Sequence, residues 1–386
     1  MVIAGFMEPN VRNGRSTLDG MGDLDLLALA RGVVSSHLPI SMADNCGCSL
    51  DGIVDMVLAA STLRASIHHV YLCSDSAVNE RTVRYHLSKL TVPRLEEALN
   101  LMLKERMPRE LVGGSYIFAA DLTLIPYHGE AYREAGELLR SKAKSGTTWF
   151  HAYASIYLTR HGRRYTLAVK YVRQGDELAD VASSLVEGVR SMGLRVKRLL
   201  LDKGFFTVKV INRLKEMRIP FIIPAVCRGR GGGLRRLLKG GRSYSTTYTM
   251  TSIEDGTASF KVNIALKYAN GKYGRSNLEY FAYATYRVDI PVADTYEEYR
   301  KRFGVETSYR IMNSSRARTS SRNPALRLLY VGVSFLLQNI WVSIKWAVSR
   351  LEDVECSYPR ITLVLTKQLD KALGFPSYVV DIEKGG

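Results

Sequence analysis

Apolar positions recur with a helical period from about Leu26 to Arg106. Leu50, Ile53, Val54, Val57 and Leu58 make one stripe, and Leu95, Ala98, Leu99, Met102 and Leu103 another. Between them, NERTVRYHLSKL (Asn79–Leu90) predicts a short helix with Val83 and Leu87 inward and Arg81, Arg84 and Lys89 outward. A short helix behind a turn is like the second helix of a helix-turn-helix, although a plain helical bundle shows the same pattern. From Ser115 the period falls to two. SYIFAADLTLI, WFHAYASIYLT (149–159) and RRYTLAVKYV (163–172) read as three strands separated by polar loops. A helix over Leu178–Met192, a strand over 195–202, a helix over Val208–Met217 and a strand over 220–226 follow. That order is the pattern of a mixed α/β sheet.

Beyond Val226 the chain changes character. CRGRGGGLRRLLKGGRS carries six cations and no acid, and its glycines do not fit a P-loop, so it reads as a flexible basic loop. Strand-like runs at Tyr244–Thr251, Ser259–Tyr268 and Glu279–Val288 suggest a β insertion. Thr295 and Glu298 have capping-box spacing, which starts a helix near Tyr296. An apolar helix is expected around 326–350, and in the tail Ile361–Leu365 reads as a strand. Residues 1–25, rich in Gly, Asn and Asp, read as a loosely docked arm.

Length and composition are those of a globular chain of one to three domains: 386 residues, 46% apolar and 24% charged. The formal charge of +17 is unusual. Residues 1–110 hold 11 Lys and Arg against 13 Asp and Glu, so all the excess positive charge lies beyond them. Such a field points to a polyanion, nucleic acid before acidic membrane. The five cysteines are scattered; Cys46-Gly-Cys48 has no second pair to complete a zinc site, and the seven histidines show no metal-ligand spacing. They read as reduced thiols and structural or DNA-facing imidazoles of a cytoplasmic protein. MVIAGFMEPN lacks the basic flank of a signal peptide. Leu328–Val348 is the most apolar stretch, but Ser334, Gln338, Asn339, Ser343 and Lys345 interrupt it, so a buried core helix is expected rather than a membrane span.

Three acids stand out. Asp121 interrupts the apolar strand FAADLTLI, where a carboxylate needs a partner or a metal; ordinary strand-end hydrogen bonds are the alternative. Asp202 closes LLL ahead of Lys203-Gly204-Phe205, the position at which α/β sheets hold ligands, and also one that suits a capping Asp. Glu306 falls on a helical stripe with Tyr299, Arg302, Arg310 and Asn313, either a solvated face or a metal and phosphate face. Carboxylates supply the hard oxygens that Mg²⁺ prefers, and two such ions serve the attacking and leaving oxygens of a phosphodiester displacement. His128, in PYHGE, lies near Asp121 in sequence; Tyr127 and Trp149 suit core packing or stacking on a displaced base.

Tyr299, Arg302 and Glu306 match the first three positions of Y-x2-R-x3-E-x6-K, Asp202-Lys203-Gly204-Phe205 matches D-[RK]-G-[FY], and Asp121 matches a first Asp on the opening strand. With these motifs the chain resembles the DDE transposases of insertion sequences over roughly 111–350. Asn313 departs from the pattern, standing where the family has a lysine on DNA phosphate, a role then open to Arg310 or Arg316. The resemblance implies an RNase H-like α/β fold with a β-rich insertion and an N-terminal helical domain. Its parts would be 1–110 (helical, DNA-end binding), 111–226 and 295–350 (catalytic), 227–294 (insertion) and 351–386 (tail). It implies catalysis and metal binding by Asp121, Asp202 and Glu306, with two Mg²⁺ or Mn²⁺ ions. DNA would be held by Tyr299, Arg302, Arg310, Asn313, Lys203 and Arg316. The implied substrates are double-stranded terminal inverted repeats and target DNA, handled by a homodimer at a prokaryotic nucleoid with no membrane partner. An RNase H-like nuclease without joining activity and a domesticated, inactive DNA-binding transposase are the alternatives.

Overall fold

The computed structural model of the chain describes residues 25–75, 78–160, 163–227, 232–270, 276–302, 312–348 and 358–375. Two compact units emerge. One comprises residues 90–313 and 320–339; the other comprises 1–89, 314–319 and 340–386.

The larger unit is built on one nine-stranded mixed sheet. Its strands are β1 (Ser115–Pro126), β2 (Leu139–Lys144), β3 (Thr147–Arg160), β4 (Arg163–Val172), β5 (Arg195–Leu201), β6 (Phe221–Pro224), β7 (Tyr244–Ser252), β8 (Gly256–Asn270) and β9 (Ser276–Tyr286). The order is β2-β3-β1-β5-β6-β9-β8-β7, with β4 also on β3. β1, β5 and β6 run parallel to one another; β3 and β4 fold back as antiparallel neighbours. This is the RNase H-like mixed sheet expected from the sequence. The strands of 227–294 extend that sheet, because β9 pairs antiparallel with β6 and carries β8 and β7 outward.

Side chains alternate across a sheet, so Ala119 and Asp121 share one face of β1, and Leu200 and Asp202 share the same face on β5. Ala119, Tyr157, Leu200, Ile222, Ala265, Tyr283 and Tyr299 form a buried cluster on that face. Helices α5 (Val92–Glu105), α6 (Leu178–Ser191) and α7 (Val208–Glu216) pack on the sheet. Thr207 caps α7 by accepting from the Val210 amide.

β4 is an edge strand, and its outward backbone groups need partners. Asn339 accepts from the Thr166 amide at 2.9 Å and donates to its carbonyl at 2.6 Å. Asn100 does the same for Val169 at 2.9 and 3.1 Å, and Glu96 accepts from the Tyr171 amide at 2.7 Å. Asn339 lies on the long helix α9 (Pro324–Val348). Among the described residues, Pro324–Trp346 is the one helical stretch long and apolar enough to cross a membrane; an apolar 18-residue window within it is 89% buried, as a core helix should be.

In the second unit α1 (Leu26–His37), α2 (Leu50–Thr62), α3 (Ile67–Leu72) and α4 (Glu80–Ser88) are capped by Asp25, Ser49, Ser66 and Asn79. Each cap side chain accepts a hydrogen bond from a first-turn amide. Val83 and Leu87 face inward on α4, and Arg81, Arg84 and Lys89 are exposed. The buried Asp55 on α2 is paired with Arg31 on α1 at 2.7 Å. The tail departs from expectation. Ile361–Leu365 belongs to a helix, α10 (Tyr358–Leu373), packed on α1 and α2. A five-residue apolar run has no decisive period; Leu365, Leu369 and Leu373, buried at helical spacing, set the matter.

Candidate active site

The pairing of β1 with β5 positions the first two acids. Their parallel register matches Ala120 with Leu201, so Asp121, in the middle of β1, comes beside Asp202, which follows the last residue of β5. Asp121 is buried, and its Oδ1 accepts from the Leu122 amide at 2.8 Å. The Asp202 side chain keeps 39% of its exposure. Asp202 opens the short 3-10 turn Lys203–Phe205, in which Lys203 is exposed.

Between the two acids lies Arg302. Its Nη2 is 3.2 Å from Asp121 Oδ1 and 3.5 Å from Asp202 Oδ1. One nitrogen bridging both oxygens puts the carboxylates within about 7 Å of each other, inside the reach of a two-metal centre with ions ~3.5–4 Å apart. Arg302 is only 8% exposed. Burial works to lower its pKa, but the charge of Asp121, the Tyr299 phenol and the charge of Asp202 more than offset that and hold it above the ordinary value. Tyr299 Oη accepts from Arg302 Nη1 and donates to the Leu201 carbonyl, each at 3.2 Å. Burial pushes the Tyr299 phenol up, so it remains a protonated donor.

The helix that delivers Tyr299 is short: α8 (Thr295–Arg300), followed by a turn through Lys301 and Arg302. The expected capping box does not form. Asp294 occupies the N-cap without a side-chain bond, Thr295 Oγ1 accepts from Asn263 at 3.0 Å, and Glu298 forms a buried ion pair with Arg198 on β5. Tertiary partners have taken both capping side chains. The Arg198–Glu298 pair and the Tyr299–Leu201 bond fasten α8 to the strand that ends in Asp202. Sequence reasoning missed that fastening, although Arg198 inside RVKRLLLD was an available signal: a cation in an apolar strand needs a nearby acid.

Of the stripe expected from Tyr299 to Asn313, the two residues at its start are not on a solvated face. Tyr299 and Arg302 are buried against the acids rather than presented outward, and Asn313 is exposed. Glu306 and Arg310 lie outside the described residues. Arg316 is half-buried and His128 exposed. Tyr127 is buried with the Arg327 guanidinium 4.5 Å from its ring centroid, so it serves packing; Trp149 keeps 39% exposure.

Two carboxylates with hard oxygen donors, one of them open to solvent, fit a divalent cation, and the guanidinium between them is the counter-charge that keeps them folded together without one. Asp121 and Asp202 would hold such an ion, with Glu306 as a third candidate ligand. It would supply charge stabilisation for a phosphodiester displacement.

Comparison with curated protein sequences gives no match. The fold is similar to that of piggyBac transposase in the cryo-EM structure of its synaptic complex with hairpin DNA. The TM-score is 0.54 at 11% sequence identity, with 95% of this chain and 86% of that one covered. Residues 113–340, more than half of the chain and inclusive of Asp121 and Asp202, match the family described as "Transposase DDE domain". The chain therefore belongs to the DDE transposase family, and it is an enzyme of that class.

Proposed function

We propose that this transposase acts on DNA by cutting at the ends of an insertion sequence and joining the freed 3′-OH to target DNA. The observation that carries the reading is the pair Asp121, inside β1, and Asp202, at the end of the parallel β5, bridged by Arg302. In the first step water attacks a terminal phosphodiester and the 3′ oxygen leaves. In the second the 3′-OH attacks a target phosphodiester, exchanging one such bond for another. Asp121, Asp202 and Glu306 bind two Mg²⁺ or Mn²⁺ ions. Lys203, Arg310, Asn313 and Arg316 contact DNA phosphate, and the net charge of +17 favours the approach of double-stranded DNA. Tyr299 and Arg302 act on that DNA from within, by positioning the acids. The active complex is a homodimer that pairs two ends, and residues 1–110 contribute end recognition.

The test is cleavage of the element's own terminal DNA in Mg²⁺ and in Mn²⁺. Asp121→Asn and Asp202→Asn should each lose at least about a hundredfold in rate while retaining DNA binding. Wild-type cutting by Asp202→Asn would sink the assignment. Pre-nicked ends that yield joined products separate a transposase from a nuclease that only cuts.

A further inference from the structure

The helical unit holds a second group of chemistry-bearing side chains, and its donors are soft rather than hard. Cys46 and Cys48 sit in the connection between α1 and α2, just ahead of the Ser49 cap, and His86 lies in the last turn of α4. Cys46 Sγ is 3.6 Å from Cys48 Sγ and 3.6 Å from His86 Nε2. All three donor atoms fall within 4.8 Å of one another. Tetrahedral zinc with Zn–S of ~2.3 Å and Zn–N of ~2.0–2.1 Å has S···S edges of about 3.8 Å and S···N edges of about 3.6 Å. Two of the three edges already match. The sulfurs are well beyond the ~2.05 Å of a disulfide.

One further feature favours an ion over simple packing. His86 is 5% exposed, and its Nε2 faces the Cys46 thiol at 3.6 Å, a weak hydrogen-bond partner for a buried imidazole, so a metal on Nε2 would replace a poor contact with a strong one. Elsewhere in the unit, Cys73 lies 3.7 Å from His69, but that pair offers only two donors.

We propose that Cys46, Cys48 and His86 bind one zinc ion, with a fourth position left to water. Thiolate and imidazole select zinc over the hard cations that suit Asp121 and Asp202. The ion fastens the α1–α2 connection to the C-terminal turn of α4, the second helix of the helix-turn-helix-like pair, in the way small DNA-binding modules are stapled where core is scarce.

The experiment uses the full chain, purified under reducing conditions without chelator. Elemental analysis should find about one zinc per chain, and both thiols should resist a thiol reagent until a chelator is added. Co²⁺ added to stripped protein should give thiolate-to-metal charge-transfer absorption and tetrahedral d–d bands. Cys46→Ser and Cys48→Ser should each lose the zinc, and Cys73→Ser should keep it. Should the variants fail to fold, the wild-type chain still decides: with Mg²⁺ in excess throughout, stripping zinc lowers its melting temperature and returning zinc restores it. The proposal is overturned by zinc-free protein with freely reacting thiols and no cobalt spectrum. It is equally overturned by a Cys46–Cys48 disulfide, or by zinc content unchanged in Cys46→Ser and Cys48→Ser.

Discussion

Replacing Arg302 by methionine keeps much of the side-chain volume and removes the cation that bridges Asp121 and Asp202. Arg302 and Asp121 side chains are 10% and 12% exposed, so that pair has little water to fall back on. Removing one partner of a buried ion pair costs about 3–5 kcal/mol, because the remaining charge is left unpaired. Asp202, at 39% exposure, recovers part of its hydration, which brings the expected loss to roughly 2–3 kcal/mol. For a unit of this size that is a fall of about 5–10 °C in melting temperature. The assay is thermal unfolding in EDTA and again in excess Mg²⁺, with Arg300→Met as an exposed control. In EDTA the Arg302→Met protein should melt well below wild type. Mg²⁺ should then stabilise it more than wild type, because an ion entering the wild-type site competes with a fixed positive charge and one entering the variant does not. Equal melting temperatures in EDTA, or an equal Mg²⁺ shift, would refute the reading of Arg302 as the counter-charge of the acid pair.

Three other outcomes are expected. Tyr171 donates to the Glu137 carbonyl, so His151 Nδ1 must donate to Tyr171 Oη at 3.0 Å, which leaves a neutral ring with a buried, unpartnered Nε2. Burial, with the Arg327 charge, drives the His151 pKa down to about 3. A lowered histidine pKa means the unfolded chain binds the proton more tightly, so this stabilisation is present above the unfolded value near ~6.5 and is lost as pH falls below it, by about 2 kcal/mol at pH ~5. Denaturation against pH for wild type and His151→Gln should show the steeper loss in wild type. Asn339→Leu strands the Thr166 amide and carbonyl and should cost about 2–4 kcal/mol in chemical denaturation; a loss below about 0.5 kcal/mol would mean β4 finds other partners. Tyr299→Phe should destabilise by about 1 kcal/mol yet leave the salt dependence of DNA binding unchanged, since a buried phenol meets no phosphate; a salt slope reduced by about one would contradict this.

The sequence by itself determined most of the elements. Period-two runs became β1, β3 and β4, and the stripes at Leu50–Leu58 and Leu95–Leu103 became α2 and α5, because alternation and helical stripes are written within windows of a few residues. It also marked Asp121 as an acid inside an apolar strand and Asp202 as an acid closing one. Where the local pattern was ambiguous it failed, as at Ile361–Leu365, whose helix is decided by leucines further on. The tertiary structure alone decided which partners the polar groups take. Parallel register sets Asp121 beside Asp202; Arg302 turns inward to them; Thr295 and Glu298 leave their cap for Asn263 and Arg198. Asn339, which as sequence merely interrupts an apolar stretch, satisfies a strand edge at Thr166, and His86 meets Cys46 from forty positions away. The physical reason is common to all of them. A buried polar group must be paired, and sequence shows that requirement, but the partner is chosen by long-range packing that no local window contains.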